Sequence, residues 1–155
     1  MSSTIVSPRR LPSRGTSYDW EGVDSPPLPP LRTLVVDDEQ LIREYLRDLL
    51  CSSGCLVTEA HDGDHALSLC HPGSWDVVVL DLMMPHRGGV DTLRGLRAID
   101  PAVPVLLVSG YSPQGTVEAA LEMPGTAFLQ KPFGLRQLLS AVRGLVAPSA
   151  AQPGG

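Results

Sequence analysis

The sequence predicts a doubly wound α/β fold, a parallel sheet with helices on both faces. Three observations lead there. Short unbroken apolar runs such as Val77 to Leu80 suit parallel strands buried on both faces, where no alternation with polar residues is needed. Segments with helical apolar spacing separate these runs, and five strand–helix alternations demand crossover connections. The runs also end in charged or hydroxyl residues, as Asp81 ends the stretch DVVVLD. A carboxylate cannot stay unpaired in a core, so it should emerge at the sheet's carboxyl edge. Open α/β sheets bind their ligands at that edge.

The elements follow in order from Leu31. Thr33 to Val36 reads as a first strand ending in Asp37, Asp38 and Glu39. Leu41, Ile42, Tyr45, Leu46, Leu49 and Leu50 then mark one buried helical face, closed by Gly54. Leu56 to Ala60 is a second strand, and Asp62 is positioned to cap a helix through Ala66, Leu67 and Cys70. Pro72 and Gly73 break that helix, and the central strand begins at Trp75. Pro85 bars an immediate helix after Asp81. After the turn His86-Arg87-Gly88-Gly89, a third helix carries Val90, Leu93, Leu96 and Ile99 on one face. Val103 to Val108 forms a fourth strand ending in Ser109. A short helix over Thr116 to Glu122 is cut by Met123-Pro124-Gly125. Thr126 to Gln130 is the fifth strand, with Lys131 at its end, and a closing amphipathic helix runs from Leu135 to Val146.

Composition bounds the rest. The 155 residues hold one domain plus tails, and 43% hydrophobic content is enough for a core. No apolar run approaches the roughly 18–20 residues of a membrane span. A net charge of −5 argues against a nucleic-acid surface. Residues 1–30 are rich in Ser, Pro and Arg and read as a disordered tail, with 31–147 the folded domain and 148–155 a second disordered tail. Arg9, Arg10 and Arg14, with no acid before Asp19, faintly resemble a transit peptide, while no apolar stretch of a secretory signal is present. Cys51, Cys55 and Cys70 lack a metal-ligand pattern and read as reduced, packing residues. The four histidines lack ligand spacing and read as surface residues.

The strand ends share one edge, so Asp37, Asp38, Asp81, Ser109 and Lys131 should converge. Two carboxylates 4 Å apart repel by roughly 4 kcal/mol at an effective dielectric of 20. Three of them call for a cation, and an all-oxygen, water-accessible set suits Mg²⁺ or Mn²⁺ rather than zinc. A carboxylate beside a hard cation, an ammonium and a hydroxyl forms a site for phosphoryl transfer, with Asp81 as nucleophile.

From Leu31 to Val146 the sequence resembles the receiver domains of two-component response regulators. The stretches LVVDDE, VVVLDLMMPHRGG, VPVLLVSGYS and FLQKPF carry the resemblance in the family's order. It implies a flavodoxin-like strand order 2-1-3-4-5, with Asp81 as phosphoacceptor and Asp37 and Asp38 as the metal-binding acidic pair. It further implies metal binding through the backbone carbonyl of Met83, Ser109 as the hydroxyl position, and Lys131 as the family's lysine before a cis peptide to Pro132. Phe128 falls at the family's switch aromatic, a position that strand-five core would equally fill. The implied donor is a sensor histidine kinase or a histidine phosphotransfer protein in the cytoplasm, with an unassigned downstream protein partner and neither nucleic acid nor membrane.

The acceptor loop departs from the family: His86-Arg87-Gly88-Gly89 keeps only the last glycine of the usual continuation. Met83 and Tyr111 are placed to screen the site from water. With no output-domain pattern after Val146, the resemblance fits either a stand-alone receiver or a phosphate carrier in a relay, and the Gly110-Tyr111 pair resembles receivers of hybrid kinases. A phosphate-independent receiver would lack an acid or the lysine, and none is missing. A dinucleotide-binding fold would need glycines after strand one, which Asp37-Asp38-Glu39-Gln40 lacks. A phosphatase with an aspartyl nucleophile would want an acid at position 83.

Overall fold

A computed structural model describes residues 29–85, 87–110 and 115–146. Strands β1 (Arg32–Val36), β2 (Leu56–Ala60), β3 (Val77–Asp81), β4 (Val105–Ser109) and β5 (Thr126–Gln130) alternate with helices. The helices are α1 (Gln40–Ser52), α2 (Gly63–Ser68), α3 (Gly89–Ile99), α4 (Thr116–Leu121) and α5 (Leu135–Val146). The strands pair in parallel in the order β2-β1-β3-β4-β5, as the resemblance implied. The flanking tails, His86 and Tyr111 lie outside the described residues.

Strand pleating divides the core in two. Leu34, Val36, Val78, Leu80, Val105 and Leu107 face one side, where Ala66, Leu93, Leu96 and Ala120 of α2, α3 and α4 cover them. Val35, Val77, Val79, Leu106 and Val108 face the other, against Leu46 and Leu50 of α1 and Leu138, Leu139 and Val142 of α5. All five residues of β3 are buried. Each fully buried Val or Leu contributes roughly 1.5–3 kcal/mol relative to exposure. A shifted register in β3 would forfeit several such contributions, so the position of Asp81 is fixed from below.

The loop after β3 is fixed as well. Leu82 and Met84 are buried in the α2–α3–α4 core. The Gly89 N–H donates to the Leu82 carbonyl at 3.0 Å. A Cβ on Gly89 would press on Leu82 Cα and lie 2.7 Å from the Asp81 carbonyl oxygen, so this approach needs glycine. Arg87 ties the same loop to Asp64 of α2 at 2.7 Å. Together these contacts anchor an acceptor loop whose sequence departs from the family's.

Some boundaries and faces differ from expectation. Leu41 is 79% and Tyr45 45% exposed, so only part of the expected α1 face is buried. The helix begins past the end of β1, and Tyr45 reaches the loop after β5, its hydroxyl donating to the Phe133 carbonyl at 3.2 Å. Asp62 caps α2 as expected, accepting from His65 N–H at 2.7 Å, but the helix stops at Ser68, before Cys70. Trp75 precedes β3 rather than starting it, its indole N–H donating to the Leu69 carbonyl. Likewise Val103 lies before β4, which starts at Val105. Cys55 and Cys70 are buried free thiols, whereas Cys51 is exposed rather than packed. Among the described residues, no helix is long and apolar enough to cross a membrane.

Candidate active site

The chain passes from β1 through α1 to β2, and returns through α2 to β3 on the other side of β1. Crossovers that diverge from one strand leave a crevice beyond its carboxyl end. Asp37 follows β1 and Asp81 ends β3, so two acids border this crevice from neighbouring strands. Each closes the same kind of local turn. Asp37 Oδ1 accepts from Glu39 N–H at 2.9 Å, and Asp81 Oδ1 accepts from Met83 N–H at 3.1 Å. Short carboxylates favour such turns, which point the chain away from the strand axis.

Lys131 arrives from β5. Its N–H donates to the Ser109 carbonyl at 2.9 Å, and the peptide to Pro132 is cis, as the resemblance implied. Its Nζ lies 3.2 Å from Asp37 Oδ2 and 3.9 Å from Asp81 Oδ1. Asp37, Asp81 and Lys131 continue the pleat phase of Val35, Val79 and Leu129, on the α1–α5 side. Ser109 continues that of Leu107 on the opposite side. The hydroxyl therefore approaches the crevice from the face across from the lysine.

Carboxylate oxygens of Asp37, Asp38 and Asp81 all lie within 4.8 Å of one another. Asp37 and Asp81 are buried and Asp38 is exposed. One pair of charges at that separation repels by roughly 3–4 kcal/mol at an effective dielectric of 20, and one lysine cannot offset three acids. Accordingly Asp81 is pushed up to about 6, chiefly by burial and then by the charge of Asp37, with a smaller push from Asp38. The Met83 N–H and Lys131 pull it partly back. The donor set fits Mg²⁺: all oxygen, anionic in excess, with one exposed member leaving room for the waters this ion keeps.

An open cavity of about 340 Å³ lies over the crevice, lined by Glu39, Asp81, Met83, Ser109, Gly110 and Lys131. Met83 is 45% exposed at its mouth. Glu39 and Gly110 figure in the sequence reading only as neighbours of strand-end residues, not as lining of the site. Phe128 stands apart from the cavity. It is half-buried against the α2–α3–α4 core and paired in register with Leu107, on the face that Ser109 shares.

A doubly wound sheet that gathers three acids, a lysine and a hydroxyl over its switch point has the architecture of a receiver domain. The chain belongs to the response regulator receiver domain family, which matches residues 33–143. It is 38% identical over 117 residues to the response regulator MprA of Mycolicibacterium vanbaalenii, covering 76% of this chain and 51% of that protein. The chain thus spans about half the length of the curated relatives it matches. The receiver domain of Francisella response regulator 1452 superposes with a TM-score of 0.67 at 30% identity, over 75% of this chain and 96% of that one. The receiver domain of sensor histidine kinase PA1611 from Pseudomonas aeruginosa holds a magnesium ion in its active-site cleft. It shares the fold, with a TM-score of 0.68 at 24% identity, over 76% of this chain and 98% of that one.

The raised Asp81 value carries a stability consequence. The folded state binds this proton more tightly than the unfolded chain, so the contribution is complete below the ordinary value near 4 and lost as pH rises through about 6. Its loss amounts to roughly 3 kcal/mol at most. In chelator, Asp81→Asn should therefore gain stability over the wild type between pH 4 and pH 8, read by urea unfolding at each pH. An unchanged difference across that range would contradict the electrostatic account of the site.

Proposed function

We propose that Asp81 accepts a phosphoryl group from a phosphohistidine on a sensor histidine kinase or a histidine phosphotransfer protein. The observation that carries this reading is a buried carboxylate 3.9 Å from a lysine ammonium, in an acidic cluster open to a cavity. An Asp81 oxygen attacks phosphorus in line with the scissile N–P bond. As the O–P bond forms the N–P bond breaks, and its electron pair returns to the imidazole nitrogen. Asp37, Asp38, Asp81 and the Met83 carbonyl would hold Mg²⁺, which would supply positive charge for the phosphoryl oxygens. Lys131 offers a second cation for those oxygens, and the Ser109 hydroxyl a hydrogen-bond donor. Asp37 is turned toward Lys131, whereas exposed Asp38 is the member free to meet the ion directly. We place this exchange in the cytoplasm, with a protein as the downstream partner.

Acetyl phosphate with Mg²⁺ should label the wild type and leave Asp81→Asn unlabelled. Asp38→Ala should bind Mg²⁺ more weakly in calorimetry and label slowly. Phosphate mapped to another residue, with Asp81→Asn labelling undiminished, would sink the assignment.

Phosphorylation becomes a signal through Ser109 and Phe128 in this reading. An aspartyl phosphate adds charge and acceptor oxygens, giving the Ser109 hydroxyl a reason to move toward Asp81. Ser109 and Phe128 lie on one sheet face, so that movement makes room into which Phe128 turns. The surface of α4, β5 and α5 then changes, as a population shift driven by the phosphate's preference for one arrangement. Beryllofluoride, a phosphoryl mimic, should move amide NMR signals across this face in the wild type. Ser109→Ala and Phe128→Ala should still accept phosphate while losing most of that shift. An α4–β5–α5 face unmoved in the wild type would mark the domain as a passive phosphate carrier.

A further inference from the structure

The acidic turn between β1 and α1 is gripped from outside the site. Asp37 N–H makes the last rung to β2, donating to the Ala60 carbonyl at 3.2 Å. Beyond that rung β2 turns away into α2. At this point Arg43 of α1 donates from one terminal nitrogen to the Asp37 carbonyl at 2.8 Å. Its Nε donates to Glu59 Oε1 at 2.9 Å, and the other oxygen of Glu59 takes Arg47 at 2.8 Å. The Arg43 side chain is only 14% exposed, so these bonds are shielded from competing water.

The geometry has a direct bearing on the ion site. The Asp37 carbonyl belongs to the rigid peptide plane that also carries the nitrogen and Cα of Asp38. Fixing the carbonyl therefore fixes the direction in which Asp38 leaves the turn. The guanidinium is planar with its donors in a set fork. Glu59, clasped by two arginines one helical turn apart, sets the plane of that fork so that one N–H meets the carbonyl. Beyond its N–H rung to β2, Asp37 is then held at three further points by three other parts of the chain. Its carbonyl is held by α1, Oδ1 by its own loop and Oδ2 by Lys131 beyond β5.

We propose that Arg43, braced by Glu59, is a positioning residue that sets the Mg²⁺ affinity of the Asp37–Asp38–Asp81 cluster by fixing the Asp37–Asp38 peptide plane. It touches neither the ion nor the phosphoryl group. The proposal rests on the metal-binding reading above and adds a residue outside the ligand set. Partners that orient ligands without contacting a metal typically account for about 10–100-fold in affinity.

The test is Mg²⁺ calorimetry on the full chain, with melting in chelator as the measure of folding. Arg43→Met should weaken Mg²⁺ binding about tenfold, and Glu59→Gln should weaken it in the same direction by less. Arg32→Met, which removes the same charge beside Asp76 at the opposite sheet edge, should leave the affinity unchanged. Arg43→Lys keeps the charge but lacks the planar fork that meets Glu59 and the carbonyl in a set geometry, so it should lose about threefold while remaining folded. Should Arg43→Met fail to fold, this lysine variant decides the matter. Wild-type affinity in Arg43→Lys, or equal losses in Arg43→Met and Arg32→Met, would overturn the positioning role. A wild type that binds no Mg²⁺ would overturn the metal-binding reading itself, which separates the two failures.

Discussion

Two carboxylates, Asp37 and Asp81, are buried side by side at the ends of adjacent strands, with the Lys131 ammonium against both. Burial and mutual repulsion work against this arrangement, and the lysine offsets only part of it. The fold holds the acids there all the same. β3 is buried along its whole length, and the loop beyond it is anchored by Leu82, Met84 and the close approach of Gly89. A site with unmet negative charge recruits a cation and, through that cation, an anionic phosphoryl group. Chemistry and fold are thus one problem, because packing energy in the sheet keeps the acids together.

The same sheet separates chemistry from output. Pleating sends Asp37, Asp81 and Lys131 toward the α1–α5 side and Ser109 toward the side shared with Phe128. The phosphoryl group proposed for Asp81 would lie between these sets, with the lysine on one side and the hydroxyl on the other. Both sides reach the edge strand β5, but only the hydroxyl side leads to the half-buried Phe128. In the proposed reading, that asymmetry assigns the lysine to the reaction and the serine to both reaction and signal.

Much of this was legible in the sequence, for physical reasons. Fully buried parallel strands need no polar alternation, so runs such as Val77 to Leu80 announce themselves, and the acid after such a run must lie at the sheet's edge. Strand order and the convergence of Asp37, Asp38, Asp81, Ser109 and Lys131 follow from that and from the resemblance. What was not legible depends on distance across the fold. Periodicity placed Leu41 and Tyr45 on the buried face of α1, but it cannot tell that the helix starts beyond the sheet. Nor does a pattern of apolar spacing show that Arg43 reaches back to the Asp37 carbonyl, or that Glu59 of an edge strand lies between two arginines. The anchoring of the acceptor loop by Met84 was hidden likewise, since its turn residues depart from the family's.

The fold holds ionised Asp81 in a state that a proton or a bound cation relieves. Carbon-13 NMR titration of the Asp81 side-chain carboxyl, with and without Mg²⁺, tests it most directly. In chelator the midpoint should fall at about 6, and saturating Mg²⁺ should lower it as the ion favours the ionised form. A midpoint at the ordinary carboxylate value near 4 in chelator, unmoved by Mg²⁺, would contradict the account.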